Sequence, residues 1–414
     1  MERHNHQRVT NLNTLRTQGS YITPWTAFEE KRLMNSILAD ELQRFEAMDL
    51  THKALGRTDV NNNLKIFLDG KYGFGGYADM YEKAEWGEPG TRIEMLIERE
   101  IMKQHLGETL NPHYLEQIKR DGKDLVIVEG GAGPDLRTFG AVQETLLSKA
   151  NELQGVPIKL VVVDISKRMA AITASKIRAS DRLNLFQKAG LDVSLAVLNA
   201  DVFDLIDKMR QESLSYALLP FGVVSFGLGK RNPQKTFENI RRRSMHKGGI
   251  ITTVYNSEWK YYTTILEQVV QQVNSTGGAL DIRTLNPFVI RILNGKMQVG
   301  GGLAFDCRTF THQQLKDDLN SSSYSVDSVH VTPKGWAYWP DEALKANLSE
   351  QEILNLPPKD AMDRVKYELL KTIANAGGSL SPELFSQLEE AVPTGNTMSF
   401  APAPYITATA RRII

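Results

Sequence analysis

The stretch Asp124-Leu-Val-Ile-Val-Glu-Gly-Gly-Ala-Gly-Pro-Asp-Leu136 decides how the rest of the chain is read. Its aliphatic run, Leu125–Val128, has no polar break. A half-exposed strand would alternate, so the run predicts a strand buried on both faces, as in a parallel sheet. It ends in an acid, Glu129, followed by Gly130, Gly131, Ala132 and Gly133. Glycines there let the backbone turn sharply and let a ligand come close. Beyond the turn Leu136, Phe139, Val142, Leu146, Ala150 and Leu153 recur on one face of a predicted helix.

Downstream, strands and helices alternate, the pattern of a parallel α/β sheet. Further strands are predicted at Lys159–Val163, ending in Asp164, and at Val193–Leu198, running into Asn199-Ala200-Asp201-Val202. A fourth lies within Tyr216–Phe226, with Pro220 awkward in a central strand, and a fifth at Ile250–Tyr255 follows Gly248-Gly249. The intervening helices run to about Phe186, through Phe237, Ile240 and Met245, and over Trp259–Val273. The pattern then changes. Val289–Leu293 and Lys296–Val299 flank Asn294-Gly295, a hairpin signal. Leu303–Phe310, a short helix from Thr311 to Leu319 and Tyr324–Val331 follow.

On the N-terminal side, apolar residues from Thr26 to about Leu55 recur at helical spacing, and a second helix is predicted from Thr91 to about Leu106. Between them Lys71–Tyr81 is rich in glycine and aromatic residues. The expected organisation is therefore a helical cap or lid at 1–90, whose first 20 residues are expected to be disordered, and an α/β core at 91–335. A hairpin insertion falls near 286–300, and 336–414 forms a C-terminal extension with a helical stretch at Ala361–Ala376.

The 414 residues are 41% apolar and 24% charged, ordinary for a globular chain. Acids and bases balance at 49 each, so no global field recruits nucleic acid or an anionic membrane. A lone cysteine, Cys307, rules out a disulfide framework and is expected to be a packed residue. The 8 histidines are scattered without metal-ligand spacing, so no metal is expected. No stretch reaches the ~20 apolar residues of a membrane span, and a cytoplasmic location with no membrane partner is expected. Oligomeric state is left open.

Two phosphate-bearing ligands fit poorly. A dinucleotide fingerprint wants glycine where Leu136 stands, and Asp164 lies 31 residues beyond Gly133 rather than the ~20 expected. A phosphate loop needs G-x-x-x-x-G-K-[ST], which is absent. Instead the ordered set Glu129-Gly-Gly-Ala-Gly133, Asp164, Asp201-Val202 and Lys247-Gly-Gly-Ile250 resembles the class I S-adenosylmethionine-dependent methyltransferases, and the resemblance implies that Gly248-Gly249 form a turn into strand five. The resemblance spans about Ile93 to Pro333, roughly 60% of the chain. It implies a seven-stranded, mostly parallel sheet with helices on both faces and a reversed last strand, expected within Leu303–Val331.

It also implies S-adenosylmethionine as cofactor. The glycine turn would lie against its methionine and ribose, and Asp164, with Ile165 beside it, would accept from the ribose hydroxyls. Asp201 would accept from the adenine amino group while Val202 packs on the ring. Alternatively, both acids simply cap the helices that follow. The longer spacing to Asp164, by about ten residues, is absorbed by extra length at Ser148–Pro157. Tyr72, Phe74, Tyr77, Tyr81 and Trp86 resemble a lid closing over the cofactor, with Tyr81 against it and Tyr72 and Tyr77 towards the substrate, or else they pack the N-terminal helices. Ser225, Phe226, Tyr255 and Asn256, after strands four and five, would line the acceptor pocket.

The implied activity is methyl transfer to a small-molecule N or O acceptor. The runner-up is protein methylation, arginine being disfavoured because the paired glutamates after strand four are replaced by Ser225-Phe-Gly-Leu-Gly-Lys230. Leu218-Leu-Pro-Phe221 likewise lacks the hydrogen-bonding clamp of amide and base N-methyltransferases. RNA cap methylation rests on Gly248–Ser257, with Arg241–Arg243 and Lys247 as a basic patch that is otherwise a solvated face. A cofactor-binding scaffold without catalysis is the remaining alternative, because no general base is evident.

Overall fold

The computed structural model describes residues 24–48, 50, 89–133, 136–220, 222–228, 231–257, 291–293, 296–299, 303–332 and 405–413. Helix α1 (Pro24–Ala47) is followed by α2 (Pro89–Thr109) and α3 (Pro112–Arg120), which lead into β1 (Leu125–Gly130). Then come α4 (Arg137–Ser148), β2 (Ile158–Asp164), α5 (Lys167–Ala179), α6 (Arg182–Lys188), β3 (Val193–Asn199) and α7 (Val202–Lys208). The second half has β4 (Leu214–Leu219), α8 (Val223–Gly227), α9 (Pro233–Arg243) and β5 (Ser244–Asn256). Short strands β6 (Arg291–Leu293), β7 (Lys296–Val299), β8 (Leu303–Asp306) and β9 (Thr309–Phe310) precede α10 (His312–Ser321), β10 (Tyr324–Thr332) and β11 (Tyr405–Arg412).

The main sheet has the order β10-β11-β5-β4-β1-β2-β3, with β9 added beside the end of β5. Strands β1 to β5 are mutually parallel, and β11 alone runs antiparallel to both of its neighbours. Both faces are apolar, which explains the unbroken aliphatic runs. Val126 and Val128 join Val161, Val163, Ala196 and Leu198 in one core. Leu125 and Ile127 join Leu160, Val162 and Val197 in the other. The first face is covered by α7, α9 and α10 through Phe203, Ile206, Phe237, Ile240, Leu315 and Leu319. The second is covered by α2 to α6, including Leu106, Ile118, Phe139, Leu146, Ile177 and Phe186. This is the expected α/β class with a mostly parallel sheet.

Three expectations are corrected. The reversed strand is β11, at 405–412, inside the stretch expected to be a C-terminal extension rather than within Leu303–Val331. Instead, β8 closes a separate three-stranded antiparallel sheet with β6 and β7, and β10 occupies the edge beyond β11. Second, Gly248-Gly249 do not turn into strand five; they lie within it, at an irregularity where the β4 pairing jumps from Ser244 to Gly249. A Cβ on Gly249 would sit 2.4 Å from the Tyr216 ring, and one on Gly248 would sit 2.9 Å from the carbonyls of Met245 and Ser215. Only glycine permits that approach. Third, β4 ends at Leu219, so Pro220 follows the strand instead of interrupting it.

Cys307 is buried, and its surroundings push the thiol well above the usual range by desolvation, as for a packed residue. Among the described residues no helix is long and apolar enough to cross a membrane. The helices expected at 259–273 and 361–376, and Asn294-Gly295 of the hairpin, lie outside the described residues.

Candidate functional site

Strand order reverses between β1 and β4, so the crevice at their carboxyl ends is the place where an open α/β sheet binds ligands. The glycine turn sits there. Gly131 has φ +65° and Gly133 φ +58°, the left-handed region that side chains avoid. Gly131 donates to Val163 O at 2.7 Å, folding the turn back over the end of β2. A Cβ on Gly131 would lie 2.3 Å from Val223 Cγ2, and one on Gly130 would lie 2.9 Å from both Val202 methyls. The turn is therefore pressed against the starts of α8 and α7. Ala132 is buried behind it, and Glu129, also buried, lies in β1 between Val162 and Leu218.

Asp164, 6% exposed at the end of β2, reaches this turn. Its Oδ2 accepts from the Gly133 N–H at 3.3 Å and its Oδ1 from the Ser166 N–H at 2.8 Å. The helix after it is capped by Ser166, whose hydroxyl accepts from the Met169 N–H at 3.1 Å. Asp164 is thus not the cap of α5. The carbonyls of Asp164 and half-buried Ile165 accept from Asn199 Nδ2 at 3.0 and 2.9 Å, fixing this loop to the end of β3.

Asp201 differs. Its Oδ1 accepts from the N–H groups of Phe203 and Asp204 at 2.9 and 3.3 Å, the cap of α7. Its Oδ2 accepts from Arg231 at 3.1 Å. Burial raises its pKa above the usual carboxylate value, and the Arg231 guanidinium offsets part of that. For Asp201 the capping alternative is realised, without removing it from the crevice. Val202 is buried beside Gly130.

The acceptor-side candidates converge on the same sheet edge. Ser225 and Phe226 lie in the short helix α8 rather than in a loop, and Tyr255 and Asn256 end β5. The buried Ser225 hydroxyl accepts from the Tyr255 N–H at 2.8 Å. Phe226 meets the Tyr255 ring edge-on at 5.3 Å between centroids. Asn256 is buried. Gly222, φ +79°, starts α8 so closely that a Cβ would lie 2.8 Å from Tyr255 Cε2. Replacing Ser225 by alanine would strand the Tyr255 N–H; chemical denaturation is expected to register a loss of about 1–2 kcal/mol.

Three residues were missed from the sequence. Tyr405, at the start of β11, packs on Tyr255 with centroids 4.9 Å apart and hydroxyls 3.4 Å apart. Arg231 grips Asp201, and the Thr173 hydroxyl donates to Gly133 O at 2.6 Å from α5. Only the alternating Ile406-Thr-Ala-Thr409 pattern hinted at a strand near Tyr405. Tyr72, Tyr77 and Tyr81, with the rest of the expected lid, lie outside the described residues. Two arginines of the basic patch are engaged internally. Arg242 pairs with Glu238 at 2.6 Å, and Arg243 donates to Asp207 O at 2.7 Å.

No protein-family model matches the chain, and no curated protein matches it. It is similar to solved structures of S-adenosylmethionine-dependent methyltransferases. One from Methanosarcina mazei has 12% identity and a TM-score of 0.37, covering 70% of this chain and 94% of that one. One from Clostridium acetobutylicum has 9% identity and a TM-score of 0.32, covering 75% and 91%. A geranyl diphosphate methyltransferase in complex with its methyl donor has 13% identity and a TM-score of 0.34, covering 87% and 97%.

Proposed function

We propose that this chain is an S-adenosylmethionine-dependent methyltransferase acting on a small-molecule N or O acceptor. The observation that carries the reading is the link from the Gly133 N–H to the Asp164 carboxylate, beside a glycine turn whose close packing admits no Cβ. Such a cradle suits the sulfonium–ribose part of the cofactor, which brings no phosphate to be held. Glycines 131 and 133 would give it backbone contact, Asp164 would accept from the ribose hydroxyls, and Val202 would pack on the adenine ring. The cofactor supplies an electrophilic methyl group.

The protein's part in such an in-line displacement is chiefly positioning. Phe226, Tyr255 and Tyr405 form a half-buried aromatic wall at the edge of the crevice, fitted to hold a small acceptor and exclude water. Aromatic faces also stabilise the positive charge of a sulfonium or an amine. A general base is needed only where the acceptor arrives protonated. The adjacent Tyr255 and Tyr405 hydroxyls are the polar groups of that wall.

Calorimetry with S-adenosylmethionine and with S-adenosylhomocysteine tests the core of this reading. The wild type is expected to bind both. Asp164→Ala is expected to bind at least about tenfold more weakly, because hydrogen bonds to a carboxylate contribute about 1.5–3 kcal/mol. Absence of wild-type binding would sink the methyltransferase reading; equal binding by the variant would remove Asp164 from the site. Methyl-labelled cofactor offered with small-metabolite, protein and RNA fractions is expected to label the small metabolites.

A further inference from the structure

Arg231 stands between the start of α7 and the end of α8. One guanidinium nitrogen, Nη1, donates both to Asp201 Oδ2 at 3.1 Å and to the Gly227 carbonyl at 2.9 Å. The other, Nη2, donates to Asp204 Oδ1 at 2.6 Å. The guanidinium carbon also lies 5.5 Å from the Phe203 ring centroid. Gly227 itself is seated on that ring: a Cβ there would be 2.5 Å from Phe203 Cε2. One side chain thus ties the capping acid of α7 to the end of α8, whose Phe226 belongs to the aromatic wall.

Asp201 Oδ1 is engaged by the helix cap, which leaves the direction of Oδ2 to be set by a partner. Arg231 is that partner. Two carboxylates, Asp201 and Asp204, share this one cation, so the cluster of three keeps a formal charge of about −1. Such a cluster accepts from a hydrogen-bond donor and rejects an acceptor placed against it. The adenine ring offers a donor, its 6-amino group, at the edge that hypoxanthine replaces with a carbonyl.

We propose that Arg231 is a positioning residue that aims the Asp201 carboxylate at the 6-amino group of the cofactor's adenine and couples that contact to the α8 segment of the acceptor side. The inference rests on the methyltransferase reading above. It concerns how the base is discriminated, through a residue that need not touch the cofactor.

The test measures binding of S-adenosylhomocysteine and of S-inosylhomocysteine, its 6-oxo analogue, to the same protein by calorimetry. Because both ligands meet one preparation, their affinity ratio is insensitive to the stability of the variant. The wild type is expected to favour the amino compound at least about tenfold, since a site built around one donor leaves its acceptor unpaired with the analogue. In Arg231→Met and in Asp201→Ala the ratio is expected to fall to within about threefold of unity. Arg231→Lys retains a cation and is expected to recover part of the ratio, which keeps the test open should the methionine variant fold poorly. A ratio unchanged in both Arg231 variants, or a wild type that binds the two equally, overturns the role of Arg231 while leaving the methyltransferase reading standing. A wild type that binds neither overturns both.

Discussion

Gly131→Ala is expected to destabilise the protein by about 3 kcal/mol and to abolish measurable binding of S-adenosylhomocysteine. Two costs combine. At φ +65° an alanine adopts the left-handed conformation, which costs about 1–2 kcal/mol. Its Cβ would also stand 2.3 Å from Val223 Cγ2. Valine is branched at Cβ and has few rotamers with which to retreat, so overpacking adds about 1–3 kcal/mol. Urea denaturation of the single variants and of Gly131→Ala with Val223→Ala separates the two. Truncating Val223 removes the clashing methyl, so the double variant is expected to recover the steric part and retain the backbone part. Additive single-variant effects would show that the turn does not press on α8. Wild-type stability of Gly131→Ala would contradict the packing of the crevice itself.

That turn was legible from the sequence because its physics is local. An aliphatic strand buried on both faces, an acid and a glycine run are contiguous, and each says its piece without a distant partner. The same holds for β2 and β3, whose ends place Asp164 and Asn199 at the carboxyl edge. What was not legible depends on contacts made across the chain. Strand β11 reads as a threonine-rich tail because its buried residues, Ile406 to Ala410, are mostly small or hydroxylated. They tolerate burial because the hydroxyls pair across strands, as Thr253 and Thr407 do at 3.1 Å.

Gly248-Gly249 looked like a turn, since glycine pairs usually are one. Here they make room for the Tyr216 ring and for neighbouring carbonyls, a demand set by β4 and invisible in the local pattern. Arg231 and Tyr405 meet their site partners 30 and 150 residues away, so no spacing rule reaches them. Asp201 shows why a cap and a site residue are not alternatives: one oxygen caps the helix and the other remains to be aimed.

The far edge of the sheet carries the other large expected effect. Strand β3 is the edge strand, and α1 lies over it. An open edge presents unpaired backbone groups, and here two side chains stand in for the missing strand. Glu41, 2% exposed, accepts from the Val197 N–H at 3.0 Å. Arg178 of α5 donates to the Leu195 carbonyl at 3.2 Å. The two also bind each other through Arg178 Nε and Nη2, at 3.1 and 3.2 Å. Burial lowers the Arg178 pKa, and the Glu41 carboxylate counters it.

Glu41→Ala leaves Arg178 without this partner and the Val197 N–H without its acceptor. Breaking a buried pair costs about 3–5 kcal/mol. Arg178 keeps 23% side-chain exposure, so water recovers part of its solvation and the lower end, about 3 kcal/mol, is expected. In a thermal melt of a 414-residue chain this is a drop of roughly 3–4 °C. Glu41→Met combined with Arg178→Met removes both charges and is expected to regain most of the loss. A deficit of about 1–2 kcal/mol should persist, because neither methionine can accept from Val197. A double variant no more stable than Glu41→Ala would mean that the edge hydrogen bonds, rather than the charge pair, hold α1 on the sheet.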